Sequence, residues 1–464
     1  MELSRLSAPL LLLAAALAMV SCTGNSAAPG TSSLPLSDSH KKKNSSNYIQ
    51  HIVVVVQENR SFDDLFATFP GANGATQGLM QTPSGDVYVP LAKVNLKESC
   101  DFPHGYVGGF LKQLDGGKMD GFGQGAGACH GNVTAAYQYV DPQQIVPYWF
   151  MAGQYVLGDA MFQTQGSGSF TAHQDLIAGA TIVNQAKTKS LVDVPTHTPW
   201  GCDAPSGTRT PVLKLVGTTL KVQQLGPYPC LTYATLRDLL DAKSVSWKYY
   251  SPPIQGGEGK LWNAFDAIKA VREGSEWKTN ISTPETNIFS DISAGQLPAV
   301  SWIVPDRQNS DHPSGPGGDT GPSWVASIVN AIGESSTYWP NTAVIVVWDD
   351  WGGFYDHVPP PFADQWGGLG FRVPLIIVSA YAREATPSQP GYISHTQYEF
   401  GSILKFIEDT FNLGSLGTTD ARATSIDDSF DFTQQARTFV PIPSSHSKSY
   451  FQHQKPSGAP VDTE

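Results

Sequence analysis

Two adjacent carboxylates, Asp349 and Asp350, follow the apolar, β-branched run at 343–347 after a single tryptophan. Burying neighbouring carboxylates beside a hydrophobic strand is costly unless a cation or hydrogen-bond donors compensate. The pattern occurs once more, earlier in the chain. The apolar run 52–56 ends in Gln57, Glu58 and Asn59, again an oxygen-rich pair at the end of a strand. Carboxylate and amide oxygens are the donors of a hard divalent cation, although zinc also accepts them. A hydroxyl completes the set. Ser169 lies in Gly-Ser-Gly-Ser-Phe-Thr-Ala-His, where Gly166 and Gly168 leave room for an anion and Ser169 could open a helix. Four histidines accompany these groups: His104, His173, His312 in Ser-Asp-His-Pro, and His357 behind Asp356. Such residues together could polarise an ester oxygen, supply a nucleophile and protonate a leaving group. Each also has a plain structural alternative. Asp and Gly are ordinary turn residues, Asn59, Ser61 or Ser169 could merely cap helices, and His173, one turn past Ser169, could merely pack or orient.

The elements that must position these residues can be read from periodicity. Short apolar runs at 52–56, 246–250, 300–304, 343–347 and 373–379 read as strands. Helical patterns fall at 141–157, 235–242, 265–273, 323–332 and 403–411. Strands alternating with helices predict one α/β domain with a central, mostly parallel sheet flanked by helices. In such sheets chemistry sits beyond the carboxyl ends of the strands, where Glu58, Asn59, Asp306 and the Asp349–Asp350 pair all fall. The 45 glycines and 34 prolines predict long loop insertions, the segment 187–229 being the clearest.

Only 15% of the residues are charged and the net charge is −12, which argues against an extended nucleic-acid surface. Arg5 precedes an apolar stretch at 10–20, too short to span a bilayer and suited to a signal-peptide core. Ser21-Cys22 then resembles a lipoprotein cleavage site, so residues 1–22 are expected to be a leader, with lipid attachment at Cys22 or plain secretion. Residues 23–47 are polar and read as a disordered tether, and 48–464 as a single catalytic domain. Export places the protein in the periplasm, in the cell envelope or outside the cell. There Cys100, Cys129, Cys202 and Cys230 should form two disulfides. Nearest-neighbour pairing, Cys100–Cys129 and Cys202–Cys230, closes loops of moderate length. A cysteine-based zinc site is disfavoured, because no two cysteines stand in a C-x-x-C pair.

The segments VVVVQENRSFDDLF, GGKMDGF, GSFTAHQ, PWGCDAP, LPAVSWIVP, SDHP and VVWDDWGGFYDHVPPP occur in this order. Together they resemble the bacterial phosphoesterase family of phosphatidylcholine-type phospholipases C and acid phosphatases, over roughly 48–432. The resemblance implies an alkaline-phosphatase-like core and a divalent metal ion held by Glu58, Asn59, Asp349 and Asp350. Ser169 takes the nucleophile position and also reaches the metal. His104 and His312 match histidines that contact the phosphate or protonate the leaving group. His357, in the DHV motif, is implied as a supporting site residue. The expected reaction is hydrolysis of phosphoesters through a phosphoseryl intermediate, with phospholipids or other phosphoesters as substrate. Members often carry additional C-terminal β-domains, and some use threonine as nucleophile. A short chain with serine leaves acid phosphatase action on soluble phosphomonoesters as the alternative, and a metal-free serine esterase using Ser169 as a further one.

Overall fold

The computed structural model describes residues 45–455, except 99, 218, 256, 314–318, 362–363, 365–367 and 387. The expected leader falls outside the described residues. So does the tether up to residue 44. Its expected end needs correction: Ser45 is buried and its hydroxyl meets Thr410 Oγ1 at 2.9 Å, so residues 45–47 belong to the folded body.

An eight-stranded sheet forms the centre. In chain order its strands are β1 (His51–Gln57), β2 (Val156–Gly158), β3 (Trp247–Tyr250), β4 (Ile281–Ser282), β5 (Val300–Ile303), β6 (Thr342–Trp348), β7 (Leu375–Ser379) and β8 (Tyr392–Ser394). Their spatial order is β4-β3-β5-β1-β6-β7-β2-β8. Only β7 runs against both of its neighbours; every other pair is parallel. The sheet is therefore the mostly parallel one that the sequence predicts. β1 and β6 are its two central strands, in register from His51 with Thr342 to Gln57 with Trp348. Every residue of β6 is buried, and all of β1 except His51. Side chains of a strand alternate between faces, so burial of all of them means that both faces are covered. That is why these strands read as unbroken apolar runs.

The principal helices are α1 (Phe62–Phe66), α2 (Val146–Gln154), α3 (Ser169–Ala178), α4 (Leu236–Ala242), α5 (Gly321–Gly333) and α6 (Phe400–Phe411). α5 packs on α2, and α6 on α3. The stretch 141–157 is not one helix: Tyr155 breaks α2 at a non-helical backbone, and the chain continues directly into β2. The insertion 187–229 carries a small antiparallel sheet of three strands.

A second, smaller apolar cluster lies outside the main core. It joins Phe102, Tyr106 and Phe110 to Trp351, Phe354 and Phe371. The Phe110 and Phe371 rings stand 4.9 Å apart, and Trp351 contacts both. This cluster anchors the segment bearing His104 against the loop that follows Asp350. Both nearest-neighbour disulfides, Cys100–Cys129 and Cys202–Cys230, are present.

Candidate active site

The site is assembled where β1 and β6 end. The Asp349 amide donates to Gln57 O at 2.9 Å, the last rung between the two strands. Beyond it the Glu58 amide turns to Ser310 O at 2.8 Å, which draws the loop after β5 against the site. Asn59 adopts a left-handed backbone with φ 56°, a conformation that asparagine tolerates better than most residues. Its amide then donates to Asp349 Oδ1 at 3.0 Å, and the Asp350 amide donates to the same oxygen at 2.8 Å. One oxygen of Asp349 is thus fixed by backbone donors, while Oδ2 is turned inward. Asp350 is held the same way, with Oδ1 accepting from the Gly352 amide at 2.7 Å. Gly352 is required here: its φ is 61°, and a Cβ would lie 2.3 Å from Asn59 O.

Ser169 approaches from α3. It is the first helical residue, and Gly168 is the N-cap, so Ser169 does not fill the capping position. Its hydroxyl instead donates to Asp350 Oδ2 at 3.2 Å and faces Asn59 Oδ1 at 3.5 Å. The expectation that Gly166 leaves room for an anion is overturned. A Cβ there would lie 2.1 Å from Phe110 Cγ, so the space belongs to an aromatic ring of the smaller cluster.

His104 adjoins Asn59. With Asn59 Oδ1 toward the serine, its Nδ2 faces His104 Nε2 at 3.0 Å, and His104 Nδ1 donates to Phe102 O at 2.6 Å. This pattern assigns the neutral tautomer with its proton on Nδ1. His312 is buried on the loop after β5, stacked on Trp262 with ring centroids 5.8 Å apart. Its Nδ1 lies 2.7 Å from Pro313 O, so acid–base exchange would run through Nε2. The preceding Asp311 has φ 69°, and its carbonyl accepts two hydrogen bonds from Arg60, at 2.9 and 2.8 Å. Burial pushes the Asp311 carboxyl up to about 6, against the hydrogen bond from Tyr148 at 2.6 Å. Arg60 is itself buried, and it ties the residue beside Asn59 to the loop that carries His312.

His357 belongs to a different constellation. Its Nδ1 meets Asp63 Oδ2 at 2.7 Å, and Asp63 and Asp356 both bind Arg372. Burial pushes the His357 imidazole down, but the hydrogen bond and charge of Asp63 outweigh it and the net shift is upward. His173 was not among the ligands expected from sequence. Its Nε2 lies 2.9 Å from Glu58 Oε1 and 3.7 Å from Asp349 Oδ2. The available signal was its spacing of four from Ser169, which places both side chains on one face of α3.

Glu58, Asn59, Asp349, Asp350 and Ser169 are all fully buried. Asp349 Oδ2 is buried without a hydrogen-bond partner among the described residues. Ligand atoms of Glu58, His173 and Asp349 lie within 4.8 Å of one another. Three buried carboxylates at one point, with an inward oxygen lacking a donor, fit a divalent cation.

The Phosphoesterase family model matches residues 49–414. Phospholipase C A of Mycobacterium tuberculosis is 27% identical over 420 residues, covering 79% of this chain and 73% of that protein. The non-hemolytic phospholipase C of Pseudomonas aeruginosa is 24% identical, covering 81% of this chain and 55% of its own length. Among solved structures, a protein in the alkaline phosphatase superfamily from Vibrio parahaemolyticus aligns over 82% of this chain and 72% of its own, with a TM-score of 0.37 and 11% identity.

Proposed function

This chain belongs to the phosphoesterase family, and on that premise we propose that it is a metal-dependent phosphoester hydrolase of phospholipase C type acting through Ser169. The observation that carries the proposal is the direction of the Ser169 hydroxyl. It points at Asp350 Oδ2 and Asn59 Oδ1, inside a fully buried group of carboxylates. A divalent cation held by Glu58, Asn59, Asp349, Asp350 and Ser169 would neutralise phosphoryl charge and lower the pKa of the hydroxyl.

Ser169 Oγ attacks phosphorus, forming an O–P bond as the bond to the leaving alcohol breaks. Its proton passes toward Asp350 Oδ2, which accepts the serine's hydrogen bond at 3.2 Å. His312 Nε2 gives a proton to the departing oxygen, and His104 holds the Asn59 amide in the orientation that faces the serine. Water then attacks the phosphorus and gives a proton to His312 Nε2 as the Oγ–P bond breaks; Ser169 Oγ takes back the proton held at Asp350 Oδ2, and the phosphate product leaves. The serine-esterase alternative lacks its relay, because His173 Nε2 is engaged with Glu58 and the serine donates to a carboxylate.

The same reading has the protein exported, with 1–22 as its leader and the folded body as one catalytic domain. The two disulfides support an oxidising compartment. No helix among the described residues is long and apolar enough to cross a membrane. The relatives named above are phospholipases C, and phospholipid is the substrate class that this reading assigns to the chain. The test is acid-quench trapping with labelled substrate, followed by peptide mapping. Label on Ser169, with kcat of Ser169→Ala lower by several orders of magnitude, supports the mechanism; near-normal turnover by the variant refutes it. Release of diacylglycerol and phosphocholine would identify the phospholipase, whereas hydrolysis of simple monoesters alone would identify an acid phosphatase.

A further inference from the structure

The oxygen ligands do not form one undivided set. Ser169, Asn59 and Asp350 meet one another at 3.2 and 3.5 Å, whereas Glu58 and Asp349 Oδ2 converge on His173 Nε2 at 2.9 and 3.7 Å. We propose that His173 is a metal ligand, forming with Glu58 and Asp349 a mixed nitrogen–oxygen subsite that favours a first-row transition ion over magnesium or calcium. The proposal rests on the metal-dependent reading above.

Geometry supports it first. Two ligands bound tetrahedrally at zinc distances stand about 3.4 Å apart, and the two separations from His173 Nε2 fall on either side of that value. The inward oxygen of Asp349 supplies the second argument. It is fully buried, has no hydrogen-bond partner among the described residues and lies too far from His173 for a hydrogen bond. Pairing of His173 with Glu58 leaves that oxygen 3.7 Å from the imidazole and without a hydrogen bond among the described residues; an ion between the three groups would engage all of them. Chain architecture is the third. Glu58 follows β1, Asp349 follows β6, and His173 is set by α3, so each donor sits on a regular element or directly at its end. Imidazole is a ligand for zinc, iron and related ions, while magnesium and calcium prefer oxygen throughout.

The rival arrangement has a protonated His173 acting as the counter-ion of Glu58 and Asp349, with no bond to metal. The two differ in what the metal sees. The full-length protein is stripped of metal, reloaded with Zn²⁺ and measured by X-ray absorption, alongside His173→Gln. Isothermal titration with Zn²⁺ and Mg²⁺ is run on both, and melting of the metal-free forms verifies that the variant folds. The expected result is imidazole scattering from zinc in the wild type that disappears in the variant. Zn²⁺ affinity should fall at least ~10-fold, and Mg²⁺ affinity should change much less. Bound zinc without an imidazole signal, or a signal that persists in the folded variant, overturns this inference alone. Failure of the wild type to bind either ion overturns the metal-dependent reading as well.

Discussion

Two buried carboxylate clusters lie within a few residues of each other in the chain, and they differ in how their charge is balanced. Asp63 and Asp356 share Arg372, whose guanidinium bonds Asp356 at 2.8 and 3.0 Å and Asp63 at 3.3 Å. His357 adds a second donor to Asp63, and Phe62 lies 4.6 Å beneath the guanidinium. Every formal negative charge there has a protein cation beside it. Glu58, Asp349 and Asp350 are as deeply buried, but among the described residues no arginine spans them as Arg372 spans the first cluster; the imidazole of His173 stands beside Glu58 at 2.9 Å, and Asp349 Oδ2 has no hydrogen bond among the described residues. A closed cluster of the first kind holds α1 and the loop after Asp350 together. An undercompensated one is costly to fold and suited to capturing an ion.

The largest expected effect separates the two by activity. Asp350→Asn keeps an acceptor for the Gly352 amide but removes a charge beside the serine. Turnover should fall by several orders of magnitude, while melting of the metal-free protein should not drop, because crowding among buried carboxylates is relieved. Wild-type turnover in this variant would erase the distinction.

Arg372→Met should behave in the opposite way. Removing one partner of a buried ion pair leaves the other uncompensated, and about 3–5 kcal/mol of stability should be lost in denaturant unfolding. The folded fraction should retain far more activity than Asp350→Asn does. A variant as stable as the wild type would show that the closed cluster is not structural.

The smallest effect sharpens the comparison through pH. The folded-state pKa of His357 lies above its unfolded value, since Asp63, with help from Asp356, overcomes the opposing effect of burial. Its contribution is fully present below the unfolded value and is lost as pH rises through the folded one. His357→Gln should therefore be less stable than wild type in mildly acidic solution, with the gap narrowing on the alkaline side. A gap that widens with pH would contradict the charge balance drawn here.

Much of the site can be read from local pattern. Unbroken β-branched runs before Glu58 and before Asp349 reveal buried parallel strands, and strands of that kind deliver the residues after them to one edge of the sheet. The cysteine spacing likewise suggested the two disulfides found. Local sequence alone determined these features because each depends on periodicity, or on neighbours close along the chain.

Other features were decided by residues far apart. Arg372 reaches Asp63 across 309 positions, a pairing that neither neighbourhood announces. Gly166 has the composition of an anion loop, yet its missing side chain makes room for Phe110, brought there by packing on Trp351 and Phe371. His173 reads as a packing histidine until α3 docks against the ends of β1 and β6, where Glu58 and Asp349 meet its ring. A side chain's type limits the chemistry it can perform, but its charge balance depends on what the fold brings within a few ångströms, and only the tertiary structure sets that.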